Sequence, residues 1–240
     1  MTEWFEEWFG DEYLELYPHR DEAEAAEAIA LIGRATGMRP GWRVLDVACG
    51  PGRHARAFEA AGARPVGLDL SMALLRHAQR TTRAPLVRAD MRTIPIRPRS
   101  MDLTVNLFTS FGYFADDRAH ARALGEMVAT VRPGGWFAID FLNADTVRRT
   151  LVPAEKQALN GRPVEVRRRI SPDGCFVEKS ITTADGRRFV ERVRLFTPDE
   201  IERLLVTHGV VVRARFGDYA GRALEPGAPR TILVGQPEAP

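Results

Sequence analysis

Residues 44–54 read VLDVACGPGRH, an apolar run that stops at a turn carrying Gly50 and Gly52. Val44, Leu45 and Val47 suit a strand buried on both faces, and the two glycines let the backbone turn sharply and approach a ligand with no Cβ in the way. The following segment, RHARAFEAAG, is expected to be helical, so its free N-terminal amides face whatever lies over the turn. A strand that hands over to a helix in this manner suits a phosphate-sized or nucleoside-sized ligand.

The turn alone leaves the ligand open, because Gly50, Gly52 and Ala55 also satisfy the G-x-G-x-x-A pattern of nicotinamide and flavin sites. The residues downstream narrow the choice. Residues 63–69 read as a second strand ending in Asp69, 19 positions beyond Gly50. One carboxylate accepts from both hydroxyls of a sugar edge, so an acid there suits a ribose. The alternative role for Asp69, capping the next helix, is better filled by Ser71. A third strand, residues 85–89, ends in Asp90 and Met91, a second acid beside a flexible apolar side chain.

These features resemble the class I S-adenosylmethionine-dependent methyltransferases, in order from about Arg43 to Phe141. The first motif of that family, D-x-x-x-G-x-G, stands here as Asp46, Gly50 and Gly52. The second-strand acid is Asp69 and the adenine-edge acid is Asp90. A fourth strand over residues 102–108, a helix over DDRAHARALGEMVATV, and an Arg132-Pro133-Gly134-Gly135 turn before a fifth strand complete the pattern. Nicotinamide-binding strands lack an acid at the position of Asp46 and do not use the R-P-G-G turn. The resemblance implies S-adenosyl-L-methionine as cofactor and no metal. It places Asp46, Ala48, Gly50, Gly52, Asp69, Leu70, Asp90, Met91 and Leu107 around the cofactor. It implies a Rossmann-like α/β fold: seven mostly parallel strands, helices on both faces, the last strand antiparallel.

Length agrees with one domain over residues 1–240, since 240 residues at 45% hydrophobic content bury a full α/β core. Residues 1–36 read as an N-terminal helical cover, with helices near Trp4–Tyr17 and Glu22–Ala35. Residues 144–195 depart from the minimal fold and read as an antiparallel insertion of three strands (162–170, 175–183 and 188–195), either an acceptor lid or a dimer element. Thr197, Pro198 and Glu200 open a helix with a capping box, Gly209 closes it, and residues 210–216 and 231–235 supply the last two strands. No apolar run reaches the roughly 18 residues of a membrane helix, and the acidic start lacks the layout of a signal peptide, so a cytoplasmic location is expected. Cys49 and Cys175 have no partners at metal-ligand spacing and read as free thiols.

Methyl transfer from a sulfonium needs alignment in a dry pocket more than it needs reactive side chains, and a base only where the nucleophile arrives protonated. In the loop after the fourth strand, Tyr113 carries the one phenolic hydroxyl and is the first candidate for orienting the acceptor or handling its proton, followed by His19 and Asp140. Tyr17 and Arg20 form a polar group near the methionine end of the cofactor, where Arg20 either holds the carboxylate or pairs with a local acid. The arginines of the insertion suit an anionic acceptor or a solvated outer face. Ten acids between Glu3 and Glu27 oppose a nucleic-acid backbone, and the fourth strand lacks the N/D-P-P-Y/F of amide and base methylation. The expected partner is a small-molecule acceptor methylated on nitrogen or oxygen, with no nucleic acid, no membrane, and a monomer or homodimer. A cofactor sensor, a non-catalytic subunit and a related sulfonium-dependent group transferase remain as alternatives.

Overall fold

The computed structural model describes residues 3–10, 13–14, 22–159 and 161–238. Its main sheet has seven strands in the order β10-β11-β5-β4-β1-β2-β3. They are β1 Arg43–Val47, β2 Arg64–Asp69, β3 Leu86–Arg88, β4 Met101–Asn106, β5 Val131–Leu142, β10 Val210–Phe216 and β11 Arg230–Pro237. β1 pairs in parallel with both β2 and β4, and β11 runs antiparallel to β5 and β10. The strand order reverses at β1, and ligands of open α/β sheets sit beyond the carboxyl ends of the strands at that point.

Alternation along β1 and β5 divides the core. Leu45, Val47, Phe137, Ile139 and Phe141 pack on one face with α5 (Asp117–Ala129) and α7 (Pro198–Thr207). Val44 and Ala138 pack on the other with α2 (Glu22–Thr36) and α3 (Arg53–Ala60). Because successive side chains point to opposite faces, Asp46 and Asp140 follow Val44 and Ala138 onto the α2–α3 side. Gly52 is the left-handed residue (φ 84°) from which α3 starts. Ser71 caps α4 (Met72–Ala78) by accepting from Leu74 N at 3.2 Å. The capping box of α7 is present, with Glu200 accepting from Thr197 N at 2.7 Å.

Three local readings are corrected. The first helical stretch is interrupted: α1 covers Trp4–Trp8, the chain leaves helical geometry at Phe9 ahead of Gly10, and Tyr13 and Leu14 are helical again, while residues 11–12 and 15–17 lie outside the described residues. The R-P-G-G segment is no separate turn but lies inside β5, where the register against β4 shifts between Met101 and Leu103 and Gly134 takes φ 71°. The insertion has four strands, not three: β6 Ala154–Leu159 joins β7 Arg162–Ile170, β8 Phe176–Thr183 and β9 Arg188–Arg194 in one antiparallel sheet. The segment AEKQAL has no β-branched or aromatic residue, so pairing with β7, not propensity, makes it a strand. The insertion leaves β5 through α6 (Ala144–Thr150), capped by the Asn143 side chain.

Gly67 on β2 shows how tightly the strands sit beneath the glycine turn. A Cβ there would lie 2.8 Å from Cys49 Sγ and 2.8 Å from Leu86 Cδ2. Gly67→Ala is therefore expected to cost about 1–3 kcal/mol by overpacking. A denaturant midpoint equal to that of the wild type would contradict this.

Candidate active site

A cavity of about 550 Å³ opens over the carboxyl ends of β1, β2, β3 and β4. Its floor is the turn Ala48–Pro51, with Ala48 at φ 60° and Gly50 at φ 55°. Around it stand Asp69 and Leu70 from the end of β2, Asp90 and Met91 after β3, and Leu107 after β4. The structure thus gathers seven of the residues singled out for the cofactor on one surface. Gly52 is not among the lining residues. A Cβ on it would meet Ala78 Cβ at 3.1 Å and Thr82 Cγ2 at 3.3 Å, so its missing side chain serves the approach of α3 to the end of α4.

Asp69 accepts from Gly50 N at 2.8 Å through Oδ2 and from Ser71 N at 2.8 Å through Oδ1. Burial pushes its pKa up, and the backbone donors Ser71 and Gly50 work against that rise. Asp90 is clasped by Arg92, whose Nε lies 3.0 Å from both carboxylate oxygens and whose Nη2 lies 2.6 Å from Oδ2. Burial acts to raise the Asp90 carboxyl, but the Arg92 hydrogen bonds outweigh it and hold it below the usual carboxylate range. Asp46 lies behind the turn, not in the cavity wall, and its Oδ2 has no hydrogen-bond partner among the described residues. Burial, reinforced by the charge of Asp69 and opposed by Arg53, pushes its pKa up to about 8.

Aromatic rings close the other side. Phe5, Phe9, Tyr13, Phe108, Tyr113 and Phe114 all line the cavity. Tyr113 lies within its wall as expected, its ring 5.5 Å from Phe9 and 5.1 Å from Trp4. α1 is held at both ends. Glu3 pairs with Arg92 at 2.6 Å, and the Phe9 carbonyl accepts from Ser71 Oγ. Its outer side packs on the insertion, with Trp8 4.5 Å from the Phe189 ring and Trp8 Nε1 donating to Glu191 at 3.0 Å. No described residue from 144–195 lines the cavity, so the insertion reaches it through α1.

Asp140, named as a candidate to face the acceptor, lies apart from the cavity. It is fully buried and outside the cavity wall, its carboxylate accepting from Phe108 N at 2.8 Å, Tyr219 Oη at 2.6 Å and Arg230 Nε at 2.7 Å. The alternation that turns Asp46 away from the turn also turns Asp140 inward. Tyr17, His19 and Arg20 lie outside the described residues. Phe5, Phe9 and Arg92 were not singled out in the sequence. The pairing of Arg92 with Asp90, two positions apart, was the local signal for one of them.

A family model described as a methyltransferase domain matches residues 44–135. A Streptomyces venezuelae dTDP-3-amino-3,4,6-trideoxy-alpha-D-glucopyranose N,N-dimethyltransferase is 29% identical over 241 residues, covering 91% of this chain and 97% of that protein. The sugar N-methyltransferase KedS8 from a Streptoalloteichus species superposes with a TM-score of 0.70 at 27% identity, over 96% of this chain and 94% of that one. A Clostridium acetobutylicum S-adenosylmethionine-dependent methyltransferase shares the fold with a TM-score of 0.81 at 17% identity, over 95% and 99% of the two chains. A glycine turn under a strand-end carboxylate, a reversed strand order at β1 and this set of relatives agree: the chain belongs to the class I S-adenosylmethionine-dependent methyltransferases.

Proposed function

We propose that this methyltransferase acts on an amino group of a small sugar-like acceptor carried on a nucleotide. The observation that carries this reading is the extent of the match. The amino-sugar N,N-dimethyltransferases from S. venezuelae and S. fradiae align over 91% and 86% of the chain, through the insertion. The malonyl-[acyl-carrier protein] O-methyltransferase of Enterobacter lignolyticus aligns over 55%. The aromatic wall supports an amine, because ring faces attract cationic and methyl-sulfonium groups by about 0.5–2 kcal/mol each.

The residues fit S-adenosylmethionine. The two strand-end acids in the wall, Asp69 and Asp90, suit ribose hydroxyls and an adenine amino group. The unpartnered Asp46 Oδ2 leaves negative capacity beneath the turn for a cationic ligand. The cofactor supplies a methyl group already activated on a sulfonium. Asp69 fixes the sugar, and Gly50 lets the backbone lie against the ligand. Leu70, Met91 and Leu107 exclude water. The Tyr113 hydroxyl orients the acceptor or relays its proton, and α1, braced by the insertion, closes the cavity. In this reading residues 144–195 form a lid support, not a direct wall.

The acceptor is tested by incubating the protein with S-adenosylmethionine and the dTDP-amino sugar of the S. venezuelae enzyme. Mass gains of one and two methyl groups are expected, and an unchanged mass would sink the reading. Asp69→Ala should weaken cofactor binding by about 1.5–3 kcal/mol, as for a lost hydrogen bond to a charged group. Equal calorimetric affinity would remove Asp69 from the site. Tyr113→Phe keeps the ring and should lower turnover about tenfold, which corresponds to roughly 1.4 kcal/mol. Retained turnover would leave Tyr113 as an aromatic wall only.

Asp46 adds a pH dependence. The folded chain keeps its proton up to about pH 8, whereas the ordinary carboxyl value is 3.8. The native state therefore binds more protons than the unfolded state between those values, and stability falls as pH rises through that window, by up to about 1.4 kcal/mol per unit. Asp46→Asn should flatten this slope. Binding of the cationic cofactor should release a proton near pH 7 in the wild type and none in Asp46→Asn, as read by calorimetry in buffers of different ionisation enthalpy. Equal proton counts in the two proteins would contradict it.

A further inference from the structure

Where β4 ends, two consecutive non-glycine residues take left-handed backbone, Phe108 at φ 58° and Thr109 at φ 63°. An aromatic and a β-branched residue are both disfavoured there, and such geometry persists only where the surroundings over-determine it. Both backbone amides are held by one buried residue, Asp140. Its carboxylate accepts from Phe108 N at 2.8 Å, and its backbone carbonyl accepts from Thr109 N at 3.0 Å. From the C-terminal hairpin, Arg230 Nε donates to Asp140 Oδ1 at 2.7 Å and Tyr219 Oη donates to Oδ2 at 2.6 Å. Arg230 Nη2 also reaches Thr109 Oγ1 at 3.3 Å. The Phe108 ring is approached by two guanidiniums, Arg53 at 4.0 Å and Arg230 at 5.3 Å.

The loop so held is functional surface. Leu107, Phe108 and Ser110 line the cavity, whereas Asp140, Tyr219 and Arg230 do not. Asp140 is fully buried and its charge is matched by Arg230, so the pair satisfies the condition under which a buried ion pair is tolerated, with further donors on the remaining lone pairs. Strand packing alone does not call for a carboxylate at this position, since its register partner on β11, Ile232, and its same-face neighbour on β5, Ala138, are both buried and apolar. We infer that Asp140, Tyr219 and Arg230 are positioning residues: a clamp by which the C-terminal hairpin presets the post-β4 wall of the cavity without touching cofactor or acceptor. Its kinetic consequence rests on the methyl-transfer reading above, and its structural consequence rests on geometry alone.

Tyr219→Phe removes one donor to Asp140 and keeps the ring. In hydrogen exchange read by mass spectrometry, peptides covering residues 107–113 should exchange at least threefold faster. Those covering 44–55 should stay unchanged, and S-adenosylmethionine affinity should remain within twofold. With the dTDP-amino sugar, kcat should fall at least fivefold with the KM for cofactor unchanged. Adding Thr109→Gly, which takes left-handed backbone freely, should return at least half of the lost kcat, a rescue that a merely structural role would not show. Unchanged exchange at 107–113, faster exchange throughout the chain, or faster local exchange with wild-type kinetics would each overturn the clamp. Should the wild type fail to methylate the amino sugar, the acceptor reading falls by itself and the exchange pattern decides the clamp.

Discussion

The cofactor side of this protein depends on one carboxylate accepting backbone hydrogen bonds from two directions. Asp69 takes Gly50 N–H from the turn after β1 and Ser71 N–H from the start of α4. It thereby ties the ends of two adjacent strands and the helix that follows. Remove it, and the left-handed turn at Ala48–Gly50 loses its anchor, while Ser71 loses the support that directs its hydroxyl to both Leu74 N and the Phe9 carbonyl. The same group that suits a ribose therefore also sets the floor on which that ribose would rest. Burial makes its charge expensive, and the backbone donors that offset this cost are the ones that shape the site.

A second set of contacts builds the roof. Trp8 packs its ring on Phe189 and donates to Glu191, which also pairs with Lys179 at 3.4 Å. Val164, Val166 and Ile181 of the insertion share an apolar cluster with Trp8, Tyr13 and Leu74. The opposite face of that sheet carries Arg167 and Arg169, paired with Glu165 and Glu178 in solvent, where such pairs contribute little.

The turn, the two strand-end acids and the helix caps were legible in the sequence because each is local: a glycine spacing, an acid after an apolar run, a Ser or Thr three residues ahead of its partner amide. What was hidden came from distance or from pairing. Tyr219 meets Asp140 across 79 positions and Arg230 meets Thr109 across 121, and no spacing rule announces either. β6 was hidden because AEKQAL has helix-like composition and becomes extended only beside β7. The placement of Asp140 was hidden for the opposite reason. Its place at a strand end suggested a ligand, but parity along β5 sends it to the buried face, whereas Asp69 ends its strand at the cavity.

The contact between Trp8 and β9 joins the first ten residues of the chain to a segment nearly two hundred positions later, and it is the route by which the insertion bears on the cavity. The two regions therefore form one exchangeable unit. A relative's insertion grafted onto this scaffold would meet an indole shaped for Phe189 and Glu191, and a foreign N-terminus would leave Glu191 without its indole donor. Divergence of the roof has to proceed by paired changes at Trp8 and on β9, whereas the floor, tied by backbone amides to Asp69, is indifferent to the side chains that vary above it.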